Sequence, residues 1–190
     1  MKYVIFLISA VLSLLITAFS IILSPIIVLF SDEQGNLPTW LRYFQTFDAT
    51  LDEGSNARKN ELQNNPTETH WIGYYDTPTN FWQVYVNRLK WIVRNPAYGF
   101  DFFVFGKRWY ESDWKVKTWK TDSSRDLFYA VSDNAFNFYY QGPLGTYKIG
   151  WKAWNHFDHV SEEFSRSFGA ESGNFVPLCF TVNPFKHKTN

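Results

Sequence analysis

The side chains best suited to chemistry cluster at His156, Asp158 and His159, with Glu162 and Glu163 just beyond them. Two imidazoles and a carboxylate are ligand types for zinc, iron or manganese, so this run offers the metal centre of a metal-dependent hydrolase. Spacing decides whether they converge. On a strand His156 and His159 face opposite ways, whereas on a helix they share a face close to Glu163. A specific site needs at least three convergent ligands, and His70 and His187 have no local partner; a polar loop or a helix start explains the run as well. A second constellation, Asp48, Asp52 and Glu53, could hold calcium or form an acid–base pair. It lacks the one-residue alternation of an EF-hand loop, and Gly54 would end any helix that aligned Asp48 with Asp52. Helix-capping or solvated acids account for it equally.

Cys179 is the single cysteine, which excludes an intrachain disulfide and a cysteine-based zinc or iron–sulfur centre. Its setting, Val176-Pro177-Leu178-Cys179-Phe180, reads as a small buried hydrophobe and not as a reactive thiol. No phosphate-binding glycine loop and no glycine-flanked nucleophilic serine is present. No cofactor is therefore expected, and the chain reads more as a binding protein than as an enzyme.

Whatever these residues do, the chain must position them with 190 residues and 22.4 kDa, enough for one ordinary domain. Eighteen basic and eighteen acidic side chains cancel to +0, so no long-range field gathers phosphates and nucleic acid is not an expected partner. From Tyr3 to Phe30 no residue is charged. As a helix this stretch would be about 42 Å long, more than the hydrocarbon core of about 30 Å, and it reads as an uncleaved transmembrane anchor. Cleavage after Ala18-Phe19-Ser20 would leave a greasy tail from Ile21 to Phe30, which argues against a signal peptide. Pro25 removes one helix donor, and Ser24 is placed to satisfy the freed group. Lys2 before the span and Asp32 and Glu33 after it favour the N-terminus inside, with the rest extracytoplasmic. The lipid bilayer is thus an expected partner.

The expected fold class is α+β: a transmembrane helix over 1–30, a linker over 31–39, and one small aromatic-rich domain over 40–190 with one main amphipathic helix and an antiparallel β-sheet. Trp40, Leu41, Tyr43, Phe44 and Phe47 are spaced for a short helix. Residues 52–70 are polar and read as a loop. Thr79 or Asn80 can cap a helix whose stripe is Trp82, Tyr85, Leu89 and Ile92, stopped by Asn95-Pro96. The bet is that this stripe faces the core. Phe100 to Phe105 reads as a buried strand or helix turn. Beyond Trp109 the period becomes two: 114–119, 136–140 and 147–151 predict strands, and Gly142-Pro143-Leu144-Gly145 predicts a hairpin between the last two. Phe175 to Val182 predicts a final strand, with Pro177 favouring an edge or a bulge.

All but four of the 39 aromatics lie beyond residue 30, the exceptions being Tyr3, Phe6, Phe19 and Phe30. Trp91, Arg94, Tyr98, Lys107, Arg108 and Trp109 form an aromatic-basic group that reads as a core helix with a solvated basic edge or as a contact for lipid head groups or a partner. Phe44-Gln45-Thr46-Phe47-Asp48, Leu51-Asp52-Glu53-Gly54, Trp91-Ile92-Val93-Arg94-Asn95-Pro96-Ala97-Tyr98-Gly99-Phe100, Ile149-Gly150-Trp151-Lys152 and Val182-Asn183-Pro184-Phe185-Lys186 follow in order along the chain. Together they resemble the signatures of a family of small tailed-bacteriophage proteins that carry an N-terminal hydrophobic segment and have no assigned activity. Phe47 stands where that family commonly has proline, and the acids of 52–53 stand where it has a longer Asp-Gly-Asp-Glu-Gly run. The resemblance implies a phage accessory protein at the host envelope, such as a superinfection-exclusion protein, or a minor virion membrane-contact protein, with a protein partner in the envelope or the virion. A metal-dependent hydrolase is the alternative.

Overall fold

A stretch with no charge between Lys2 and Asp32 satisfies its backbone most cheaply as a helix, and α1 runs over Lys2–Ile27, followed by a 3-10 turn at Val28–Phe30. Pro25 sits inside it, and the carbonyl of Ile21 that loses its partner accepts from Ser24 Oγ at 2.7 Å, as the sequence predicts. The computed structural model describes residues 1–47, 49–64, 71–157 and 175–188. The fold is α+β, an apolar N-terminal helix followed by helices and an antiparallel sheet.

Contacts divide the chain into two compact units, Met1–Leu12 with Asp101–Asn190, and Ser13–Phe100. The second is helical. Its core holds Ile27, Val28, Leu37, Leu41, Leu51, Trp91 and Ile92. The polar stretch expected as a loop is in good part a helix, α2 (Glu53–Asn64). Ala57, Arg58, Lys59, Glu61, Leu62 and Gln63 are good helix formers but make no apolar stripe, and the helix buries only Gly54 and Ser55. A Cβ on Gly54 would overlap the Tyr74 ring, so glycine there lets that ring close in.

Helix α3 (Phe81–Arg94) begins as its sequence requires: Asn80 Oδ1 accepts from Gln83 N at 3.1 Å, and Gln83 Oε1 accepts from Thr79 N at 2.8 Å. Of the expected stripe, Ile92 is buried, Tyr85 and Leu89 are half-buried against the core, and Trp82 is 69 % exposed; Asn87, Arg88 and Trp91 point inward as well. Two polar residues take interior positions because partners waiting there saturate them, which apolar periodicity cannot show. After Asn95-Pro96, Ala97 takes φ 55, and Gly99 at the start of α4 (Tyr98–Phe103) lies so close to the backbone of the 3-10 turn Thr39–Phe44 that a Cβ would stand 2.6 Å from the Arg42 carbonyl. Phe100 then packs edge-on against Phe44 and at a tilt against Tyr43, and Tyr98 packs at a tilt on Phe47, so two of the signatures meet in space.

The sheet unit pairs β2 (Lys115–Thr121), β3 (Asp126–Val131), β4 (Phe136–Gly142), β5 (Gly145–Trp151) and β7 (Leu178–Asn183) in that order, all antiparallel. The predicted β4–β5 hairpin is present, Gly142 facing Gly145. Strand β3 was not expected. Pro177 divides the last run: β6 (Phe175–Val176) pairs with β1 (Lys107–Arg108), and β7 joins the sheet. Gly150 has φ 109 and presses on the Phe136 carbonyl, a place no side chain can share. One face carries Tyr129, Phe136, Trp151 and Phe180, on which Tyr3 and Phe6 of α1 pack. The short helix α5 (Trp154–Phe157) packs on the other, through Phe128 and Tyr139.

Candidate functional site

The acidic pair of 52–53 is the best-defined polar centre. Arg88 is buried, and its Nε and Nη2 donate to the two carboxylate oxygens of Asp52 at 2.6 and 2.7 Å. Nη1 also donates to Ser31 Oγ at 2.9 Å and to the Asp32 carbonyl at 2.8 Å, and Nη2 to the Glu33 carbonyl at 3.1 Å. All five guanidinium donors are thereby used, leaving none for a ligand. Gly35, at φ 77, allows this closure, because a Cβ there would lie 2.7 Å from Asp52 Oδ2. Asn87 beside it donates to Ser55 Oγ and the Tyr75 carbonyl, both at 2.7 Å. The centre fixes the segment that leaves α1 onto α2 and α3. Glu53 sits in the first turn of α2, where a carboxylate suits the helix dipole. Asp48 lies outside the described residues.

Of the histidine run, His156 is described; Asp158 and His159, with Glu162 and Glu163, lie outside the described residues. Among the described residues no three His, Cys, Asp or Glu side chains come together as a metal site. The His156 ring stacks on Trp109 with centroids 4.5 Å apart, and Trp109 also meets Trp114 and Phe157. Burial is the main influence on this imidazole and lowers its pKa below the ordinary histidine value. Its folded pKa then lies below the unfolded one, so its contribution to stability is complete above about pH 6.5 and is lost as pH falls toward the folded pKa. The urea midpoint should therefore drop between pH 7.5 and 5.5, and His156→Phe, which keeps the stack, should flatten that drop. An unchanged pH profile in the variant would reject this account.

The sheet unit also carries an aromatic cleft, which the spacing of titratable residues in the sequence does not reveal. Trp119, Phe128, Tyr139 and Lys148 are directly paired across β2, β3, β4 and β5, making one transverse row on the face that α5 covers. A cleft of about 400 Å³ is lined by Trp119, Thr121, Asp126, Phe128, Tyr139, Trp154 and Lys188. Tyr139 and Trp154 stack at 4.9 Å, and Lys148 Nζ stands over both rings at 5.6 and 5.4 Å. Burial, then the Lys152 charge, lower the Lys148 pKa. At the rim Lys188 Nζ donates to Asp126 Oδ1 at 2.9 Å. The signal available in the sequence was the alternation of rings along 119–139, which needs the unforeseen β3 to become a row. Cys179 lies on the same sheet face, its thiol pushed up to about 12 by burial, which makes it inert as a nucleophile.

The six aromatic-basic residues divide between the two units. In the helical unit Trp91 is buried against Trp71, Arg94 stands 4.0 Å over the Trp71 ring, and Tyr98 packs on Phe47. In the sheet unit Lys107 stands 5.2 Å over Trp151, Arg108 is exposed on β1, and Trp109 holds His156.

Taken together, these features define an α+β protein with an apolar N-terminal helix and an aromatic-rowed antiparallel sheet. The chain belongs to the DUF7338 family, a family of unknown function, which it matches over residues 1–190. No curated protein and no solved structure matches it.

Proposed function

We propose that this is a membrane-bound accessory protein that acts by binding. The observation that carries the reading is the outward side of α1. Leu7, Val11, Leu14, Leu15, Ile22 and Ile26 are each half exposed or more, while Ser9, Ser13, Thr17, Ser20 and Ser24 recur on the packed side. A water-soluble helix has the opposite arrangement, so this side belongs against lipid. The helix is long and apolar enough to cross a bilayer. In the phage setting that the resemblance implies, the protein binds a component of the host envelope, as in superinfection exclusion, or serves as a membrane-contact protein of the virion. The aromatic cleft with its Asp126–Lys188 rim is the surface offered to that component. The saturated Arg88 centre fits a binding role, since its guanidinium is spent on holding the fold and keeps no donor for a reaction.

Two measurements test this. The full chain should stay in the membrane pellet through carbonate extraction; recovery in the supernatant would end the membrane reading. Cells expressing it should show a reduced plaque yield on phage challenge, and Trp119→Ala should restore the yield while the protein remains in the pellet. An unchanged yield in both strains would reject the exclusion role.

A further inference from the structure

We infer that α1 lies along the bilayer surface with both of its ends on one side, instead of crossing; the inference rests on the membrane reading above. It comes from where the first turns of the helix are seated. Lys2 Nζ donates to the Ser132 carbonyl at 2.7 Å, and the Tyr3 and Tyr129 hydroxyls lie 3.2 Å apart. Phe6 meets Phe136, Trp151 and Phe180 with centroids 5.1, 5.9 and 6.3 Å apart, and Phe6 and Ala10 are buried in the sheet core. The start of α1 is thus part of the sheet unit. The chain reaches the sheet only through residues 31–100, and Lys2–Phe30 is the only candidate span among the described residues. The sequence holds no second charge-free run of that length. If the helix crossed, every residue after Phe30 would stand on the far side from Lys2, and Ser132 could not meet it. Crossing by residues 11–30 alone, long enough for about 30 Å of hydrocarbon, fails for the same reason.

The charge pattern of the outward side fits a leaflet. It carries no charge, and its one hydroxyl, on Tyr3, is engaged with Tyr129. At the other end of the helix, exposed rings collect. Phe30 and Trp40 lie 5.6 Å apart, Tyr85 Oη donates to the Pro25 carbonyl at 3.0 Å, and Phe81 and Trp82 each stand 6.0 Å from the Tyr85 ring. Tryptophan and tyrosine at the end of an apolar helix suit the head-group boundary, which is where a helix lying in the plane would place them.

The test uses the full chain with an epitope at each end in bacterial membranes. Protease added to right-side-out and to inverted vesicles should remove both epitopes in one preparation and neither in the other. Removal of one epitope from each would overturn the inference while leaving the membrane reading intact. Recovery as a soluble dimer in the carbonate supernatant would assign the apolar side to a second copy and overturn both. A second measurement reads the seat directly in the membrane-bound protein. Phe6→Ala should lower the urea midpoint of tryptophan fluorescence clearly, and Leu7→Ala should leave it in place. Equal midpoints for the two variants would overturn the inference, because a crossing helix puts both residues in lipid.

Discussion

Arg88→Ala should lower the stability of the helical unit by about 3 kcal/mol, measured as the urea midpoint of the full chain in detergent. The change removes one partner of a buried pair, for which losses of about 3 to 5 kcal/mol are typical. The lower end applies because the Asp52 side chain keeps 27 % of its exposure, so water relieves part of the abandoned charge. The loss is not only electrostatic. Five donors leave together, freeing Ser31 Oγ and the carbonyls of Asp32 and Glu33, which otherwise tie the exit of α1 to α3. Arg88→Lys should recover less than half of the loss, since an ammonium offers three donors and no planar fork to match the carboxylate. Asp52→Asn should be milder than Arg88→Ala, because an amide oxygen still accepts from Nε. A shift of less than about 1 kcal/mol in Arg88→Ala would show that the centre is not structural.

That centre also marks where the sequence stops being readable. Asp52 and Glu53 stood out as a pair that could bind a cation, and the signature containing them could be recognised as a unit. The partner of Asp52 lay 36 residues further on, at a position of α3 that its apolar stripe does not include. Period 3.6 reports which residues avoid water, and Arg88 and Asn87 are inside for the opposite reason, that all their polar atoms find partners. The same limit explains α2. The residues of its middle, 57–63, mostly favour helix but leave no apolar stripe, and it is held by close approach at Gly54 and by the Ser55–Asn87 hydrogen bond, which periodicity does not record. Where a local rule suffices the reading was sound: the hydroxyl of Ser24 at the Pro25 break, the Asn80 cap, the Gly142–Gly145 hairpin and the edge position of the strand beside Pro177 each depend on residues within a few positions. The aromatic row of the sheet needed all of its strands in register, and β3, whose residues 127–131 are Leu-Phe-Tyr-Ala-Val without a polar break, showed no alternation. The helix α1 divides along the same line. Its apolarity and length were plain, but its seat on the sheet pairs residue 6 with residues 136, 151 and 180.

Trp151→Ala should cost the sheet unit about 3 to 5 kcal/mol, the range for truncating a fully buried large aromatic. Trp151 has 0 % exposure, touches Phe6 and Phe136 edge-on, lies under the Lys107 ammonium, and donates Nε1 to the Phe105 carbonyl at 2.8 Å. It therefore connects β5, the start of α1 and the turn that follows α4 through one side chain. Trp151→Phe separates the two contributions: it keeps most of the ring packing but leaves the Phe105 carbonyl unpaired, a deficit of about 1 to 3 kcal/mol. If packing dominates, as the burial argues, Trp151→Phe should retain more than half of the stability that Trp151→Ala loses. The location of the damage is as informative as its size. Amide exchange in Trp151→Ala should quicken at residues 2–10, whose Phe6 has lost its neighbour, and in β5, while residues 81–94 of α3, in the other unit, keep their protection. Uniform loss of protection in both units would mean that they unfold as one, and would remove the basis for treating the seat of α1 on the sheet as a separate local structure.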